Sequence, residues 1–176
     1  MIGDIMEEMK PHVAYLSVGS NLGSRRKNCM RGISAIEKNR ECRLRRQSCF
    51  YKTEPVDYRD QRWFVNAAVE IETTCDPFEL LSMLKTIEAD SGRDFGEIRF
   101  GPRVLDLDII FFDNRIVDTD DLVIPHPRMH LRRFVLRPLC DIAPKLIHPV
   151  LKKKITQLLE TQENNNQRIS ELPCES

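Results

Sequence analysis

The chain has 176 residues and a mass of 20.5 kDa, a length suited to one domain that buries roughly 70% of its extended-chain surface without disulfides or structural zinc. Lys+Arg and Asp+Glu both number 27, so the formal net charge is zero. That balance argues against bulk electrostatic capture of nucleic acid and leaves only local basic patches.

The six cysteines, at 29, 42, 49, 75, 140 and 174, form no C-x-x-C pair, and the four histidines have no zinc-type partners. The reading is reduced thiols and a cytoplasmic protein. Residues 1–10 carry Asp4, Glu7 and Glu8 and no apolar stretch of the signal-peptide kind, and no run approaches 18 apolar residues.

In chain order, residues 12–18 form a compact apolar run that ends at Gly19-Ser20-Asn21, a strand and then a turn. Cys29, Ile33 and Ile36 repeat at helical spacing over 25–38. A second strand is predicted over 45–51. Residues 53–62, with Pro55 and two Asp, have no period and make a long loop of the kind that carries function. Over 63–73, Val65, Ala67, Val69 and Ile71 alternate with Phe64, Asn66, Ala68, Glu70 and Glu72. The first set reads as core and the second as a more open face. Asp76-Pro77-Phe78-Glu79 carries a cap, a proline for the first helical position and a Glu three residues after the cap. Leu80, Leu84 and Ile87 follow on one face, and Gly92 can close the helix. A strand follows over 104–112. A short helix fits 133–140, one or two turns fit 152–159, and the polar 161–176 is expected to fray.

The order strand, helix, strand, strand, helix, strand suits an α+β, ferredoxin-like βαββαβ core, an antiparallel sheet with helices on one face. The domain spans 12–160, with 1–11 as leader and 161–176 as tail. The fold by itself names no function.

The sharpest chemical signal is Asp106-Leu107-Asp108 within that last strand. Leu105, Leu107, Ile109 and Phe111 would face the core, and the two carboxylates would share the opposite face. Side by side they repel, and a divalent cation removes the conflict; hard oxygen donors suit Mg²⁺ completed by phosphate and water. The alternative is a solvated face with an idle pair. The preceding stretch 92–103 holds three glycines and Arg93, Arg99 and Arg103, which reads as a lid over phosphates or as a plain surface connector. No Gly-Lys-Ser/Thr makes it a P-loop. His126, Arg128, His130, Arg132, Arg133 and Arg137 form a second basic stretch, either phosphate-binding or a solvated turn. Residues 19–24 could offer backbone N–H groups to an anion or simply cap a helix. Phe64 and Asn66 could stack on and read a heteroaromatic ring.

Together these blocks resemble the 6-hydroxymethyl-7,8-dihydropterin pyrophosphokinase family over about residues 13–159. The most specific part is Gly101-Pro102-Arg103-Val104-Leu105-Asp106-Leu107-Asp108-Ile109-Ile110. Gly19-Ser20-Asn21-Leu22, Phe50-Tyr51-Lys52-Thr53-Glu54-Pro55, Asn66-Ala67-Ala68-Val69 and Pro125-His126-Pro127-Arg128-Met129 through Arg132-Arg133-Phe134 support it in order. The resemblance implies the ferredoxin-like fold with mobile loops, and transfer of pyrophosphate from ATP to the pterin hydroxymethyl group with release of AMP, in folate biosynthesis. It implies two Mg²⁺ ions on Asp106 and Asp108, and catalytic roles for Arg93, Arg103 and Asp108. Glu88, Arg93, Arg103, Ile109, His126 and Arg132 would bind ATP. Thr53, Val56, Phe64, Asn66 and Phe134 would bind the pterin. The expected partners are ATP and the pterin, with no nucleic acid and no membrane, and the chain is expected to act as a monomer.

Phe64 stands where some members carry Tyr, Phe100 where some carry Trp, and Gly96 where some carry a basic loop residue. A non-catalytic pterin- or nucleotide-binding relative is the alternative. A polymerase-β type nucleotidyltransferase would need its Gly-Ser turn near the D-x-D, whereas Ser20 and Asp106 are 86 positions apart. An RNA-recognition sheet would need aromatics where the central strands carry carboxylates.

Overall fold

The computed structural model describes residues 10–92 and 101–173. The leader up to Met9 and the greater part of the glycine-rich stretch, with Arg93, Gly96 and Phe100, lie outside the described residues.

The first apolar run forms β1 (His12–Ser20), and the helical repeat forms α1 (Arg25–Lys38) with the predicted ends. The basic stretch forms two strands rather than one, β2 (Cys42–Gln47) and β3 (Tyr51–Thr53), broken at Ser48 where the hydroxyl accepts from the Ala68 N–H. The alternating run is β4 (Phe64–Thr73). Next is α2 (Pro77–Asp90), with the predicted capping box in place. Asp76 Oδ1 accepts from the N–H groups of Phe78 and Glu79 at 2.8 and 2.9 Å, and Glu79 returns a carboxylate to the Asp76 N–H. Gly92, at φ 91°, stops the helix in a conformation other residues resist. The chain then forms β5 (Asp106–Phe112), the short hairpin β6 (Val117–Asp118) and β7 (Val123–Ile124), α3 (Arg133–Ile142), α4 (Ile155–Glu160) and β8 (Ile169–Glu171).

The main sheet runs β5-β1-β4-β3-β8, with β2 also on β4, and its pairings are antiparallel. β1 and β4 are central, as the split βαβ topology requires. On one face α1 and α2 bury Cys29, Ile33, Ile36, Leu80 and Leu84 against Leu16, Val18, Ala67, Val69 and Ile71. Each large aliphatic side chain buried this way contributes about 1.5–3 kcal/mol. Gly32 permits the close approach of α1, since a Cβ there would fall 2.8 Å from a Leu105 methyl.

The two core helices share one face as expected, but the other face is covered as well. α3 and α4 bury Val135, Leu136, Leu139, Ile142, Ile155 and Leu158 against Ala68, Ile110 and Phe111. Ala68, under that layer, is therefore buried, and Asn66, beyond it, is buried as well, not open. Phe111 also departs from its expected side. The β1–β5 register shifts between Tyr15 and Leu16, which pair with Phe111 and Ile109, so Ile110 is the extra residue of a bulge. The bulge reverses the alternation. Phe111 joins the α3 side, and Phe112 takes the place on the α1 side.

The expected fraying after 161 is also corrected. β8 pairs with β3 in the register Tyr51–Glu171, Lys52–Ser170 and Thr53–Ile169. A segment with few apolar residues orders here because main-chain pairing at a sheet edge and polar side-chain contacts hold it, and neither shows in composition.

Candidate active site

α3 and α4 cover only part of their face of the sheet. The remainder, where β1 ends and β4 and β5 begin, floors an open cleft of about 640 Å³ counting its mouth. Register sets the floor: Gly19 pairs with both Asp106 and Asn66, and Ser17 with Asp108 and Ala68. Phe64, opposite Thr53, extends it. Loop residues Glu54, Val56 and Asp57 make one wall, and Arg132 and Phe134, at the start of α3, make another. Arg103 and Gly101 close a third side.

At the carboxylate end, Arg103 Nη1 lies 2.7 Å from Asp106 Oδ1. Burial works against the Arg103 charge, yet Asp106, Asp108 and Glu88 together hold its pKa above the ordinary value. Burial, then the neighbouring charges of Asp106 and Glu88, push the Asp108 carboxyl up to about 7, against the opposing pull of Arg132 and Arg103. Two acidic oxygen donors crowded into one pocket fit a hard divalent cation such as Mg²⁺. No cluster of three or more His, Cys, Asp or Glu suited to a metal occurs among the described residues, so phosphate and water oxygens would complete the coordination.

At the aromatic end, Asn66 is buried and its Nδ2 donates to the Thr53 hydroxyl, itself buried. Phe64 and Phe134 both line the cleft, and the Arg132 guanidinium lies 5.5 Å from the centre of the Phe134 ring. Arg132 also pairs with Asp57 at 3.4 Å, as Arg128 does at 3.3 Å. Burial and the adjacent Arg128 lower the Arg132 pKa.

Thus Thr53, Val56, Phe64, Asn66, Arg103, Asp106, Asp108, Arg132 and Phe134, each singled out from sequence, share one cleft. Three others lie outside its lining. Glu88 is 2% exposed, and its Oε1 accepts from the Leu107 N–H at 2.7 Å. It braces β5 beneath the carboxylates. The Ile109 side chain is in the α1-side core, away from the cleft. His126 is anchored to β5 by its N–H to Ile110 O at 3.0 Å, and its Nδ1 accepts from the Arg128 N–H. Burial, then Arg132 and Arg128, lower its pKa to about 4. Arg93 lies outside the described residues.

The turn after β1 is more than a possible anion cradle, because Asn21 spends its main-chain N–H on Arg103 O. Asn21 is fully buried; its Oδ1 accepts from the Arg103 N–H at 2.6 Å, and its Nδ2 donates to Gln61 Oε1 and Arg62 O. It ties the β1 turn to both loops flanking the cleft. Sequence reasoning missed this role, although Asn21 sits in the quoted Gly-Ser-Asn-Leu block. Asp57, Gln61 and Ser17 were also missed, since their roles depend on chain crossings that no local pattern shows.

Residues 15–144 match the model of the 7,8-dihydro-6-hydroxymethylpterin-pyrophosphokinase family. A Bacillus subtilis 2-amino-4-hydroxy-6-hydroxymethyldihydropteridine pyrophosphokinase is 41% identical over 135 residues, covering 77% of this chain and 80% of that protein. The folic acid synthesis protein FOL1 of Dictyostelium discoideum is 45% identical over 140 residues, 80% of this chain but 21% of that much longer protein. Among solved structures, an HPPK-DHPS in complex with substrates superposes with a TM-score of 0.68 at 17% identity, over 89% of this chain and 45% of that one, a likeness of fold. The chain therefore spans most of its Bacillus relative and less than half of these longer ones. With the signature strand, the cleft and this similarity in agreement, the chain belongs to the 7,8-dihydro-6-hydroxymethylpterin-pyrophosphokinase family, transferases of folate synthesis.

Proposed function

We propose that this chain transfers pyrophosphate from ATP to the hydroxymethyl oxygen of 6-hydroxymethyl-7,8-dihydropterin and releases AMP. The observation that carries the reading is the meeting, in one cleft, of the Asp106–Asp108 pair with Asn66, Thr53 and two aromatic rings.

The aromatic end takes the pterin. Phe64 and Phe134 supply apolar faces for a flat heterocycle, and Asn66 and main-chain groups near Thr53 and Val56 read its polar edge. The carboxylate end takes the triphosphate. Asp106 and Asp108 would hold two Mg²⁺ ions, which neutralise phosphate charge and stabilise the attacking and leaving oxygens when bound. Arg103 and Arg132 direct their guanidinium groups at phosphate oxygens, where bidentate contacts tighten as charge shifts. His126, Arg93, Glu88 and the Ile109 main chain complete the nucleotide side in this reading, Glu88 by holding β5.

The pterin oxygen attacks the β-phosphorus in line, the bond from that phosphorus to the α-phosphate oxygen breaks, and AMP leaves. Asp108 accepts the hydroxyl proton. The chain's own work is positioning and charge neutralisation, which this class of transfer mainly needs. The same reading keeps the chain a cytoplasmic monomer. Among the described residues five cysteines form no disulfide, and no helix is long and apolar enough to cross a membrane.

The test is AMP release from ATP and Mg²⁺, with and without the pterin, beside an Asp106→Ala/Asp108→Ala protein. Pterin-dependent AMP that the double variant fails to make supports the reading. AMP or ADP release indifferent to the pterin overturns it.

A further inference from the structure

The two walls of the aromatic end are tied together from behind by a segment outside the family-matched residues 15–144. Gln167 is 6% exposed. Its Nε2 donates to the carbonyl of Glu54 at 2.7 Å, at the root of the 54–57 wall. Its own carbonyl, with that of Asn165, accepts from Arg133 Nη1 at 3.2 and 3.3 Å. Arg133 opens α3, between Arg132 and Phe134 of the opposite wall. One residue thus bridges the end of β3 to the start of α3. Its neighbour reinforces the join: the Glu54 N–H donates to Arg168 O, and the Arg168 guanidinium pairs with the Glu54 carboxylate at 3.0 Å. β8 then continues along β3.

We propose that Gln167, with Arg133, is a positioning residue for the pterin, a latch that sets the distance between the 54–57 wall and Phe134. This rests on the pterin reading of the cleft. The latch touches neither carboxylate of the metal pair and reaches the nucleotide side only through Arg132, the residue before Arg133, so its effect falls mainly on the pterin.

Its chemistry separates positioning from simple stability. Gln167 Oε1 is buried with no hydrogen-bond partner among the described residues. Gln167→Met removes that stranded oxygen together with the donor to Glu54, and the two changes oppose each other in stability. The side-chain bond to Glu54 is lost, while the Arg168 contacts, the Gln167 carbonyl and the fold are retained.

The experiment measures pterin and ATP binding, the KM for each, and hydrogen exchange of ligand-free protein, for the wild type, Gln167→Met, Arg133→Met and Arg133→Lys. Expected for Gln167→Met and Arg133→Met is pterin affinity weaker by roughly 5- to 10-fold, the equivalent of one hydrogen bond. ATP affinity and kcat stay within about twofold, and exchange is faster at 54–57 and 132–134. Arg133→Lys, which keeps a donor for the two carbonyls, recovers most of the affinity. Pterin affinity unchanged in both Met variants overturns the latch. So does an equal loss for ATP and pterin with a lowered melting temperature, which marks a purely structural role. A wild type that binds no pterin overturns the substrate reading instead. In that case unaltered exchange in Gln167→Met overturns the latch independently.

Discussion

Gly19 and Asn66 face each other across β1 and β4 so closely that a Cβ on Gly19 would lie 2.7 Å from Asn66 Oδ1. Real Cβ atoms do not approach that closely, so the missing side chain on β1 creates the space in which the Asn66 amide lies. Gly19 also pairs with Asp106 on its other side. One glycine therefore sits between Asn66, the amide proposed to read the pterin, and Asp106, a carboxylate proposed to hold metal.

Gly19→Ala should consequently displace Asn66 and weaken its bond to Thr53. Overpacking of this kind costs about 1–3 kcal/mol. We expect a folded protein whose pterin affinity, measured by calorimetry with a non-hydrolysable ATP analogue, falls about tenfold or more. ATP affinity should hold. Unchanged pterin binding would show that Asn66 does not read the ring.

Asn21 makes a different prediction, because its amide joins three segments. Asn21→Leu removes the acceptor of the Arg103 N–H and the donor to the Arg62 carbonyl and to Gln61 Oε1. Buried groups left without partners cost about 1–3 kcal/mol each, with partial rescue by water. A drop of about 2–4 kcal/mol in urea unfolding is expected. Turnover should fall more than ATP affinity, because Arg103 loses one of its two main-chain bonds to Asn21, that from its N–H, and keeps the other. Asn21→Asp keeps an acceptor for Arg103 and loses both donations, so it should fall between the two proteins.

The difference between Asn66 and Asn21 shows what a sequence can reveal. Asn66 was legible because strand alternation assigns it a face, and Asp106 and Asp108 were legible for the same reason. Asn21 lies in a turn, where no period operates, and its importance comes from loops 40 and 82 positions away. Phe111 failed for a third reason. Alternation assumes an unbroken ladder, and the bulge at Ile110 reverses it. β8 failed because its stability comes from pairing with β3 and from Gln167 and Arg168, not from apolar content. The covering of the second face by α3 and α4 depends on where the chain travels after β5, and propensity is silent on that.

The crowded carboxylates predict a trade between stability and function. Without metal, Asp108 sits among Asp106 and Glu88 with its charged form disfavoured. Asp108→Asn removes a charge from that cluster and should raise the melting temperature in EDTA, by the equivalent of about 1–2 kcal/mol. Adding Mg²⁺ with a nucleotide analogue should stabilise the wild type and leave the variant nearly unmoved. AMP formation should drop by about 100-fold or more. A variant less stable than the wild type in EDTA would mean that Arg103 and Arg132 already neutralise the cluster.

His126 predicts a pH dependence of opposite sign to that of a raised carboxyl. Its pKa in the folded chain is about 4, below the ordinary 6.5, because burial and then Arg132 and Arg128 oppose the cation more than Asp106 favours it. Protonation would also remove the Nδ1 acceptor used by the Arg128 N–H. Between pH 6.5 and 4 the unfolded chain binds a proton that the folded chain refuses, so this contribution to stability is complete above 6.5 and is lost as pH falls. The full loss amounts to about 3 kcal/mol. His126→Gln has no such loss. Its stability relative to the wild type should therefore rise as pH drops through that window, in denaturant unfolding without metal. Asp108 titrates in both proteins, so its contribution largely cancels in the difference. A wild-type-to-variant difference that stays flat from pH 7 to pH 4 would place His126 in water, free to carry its charge.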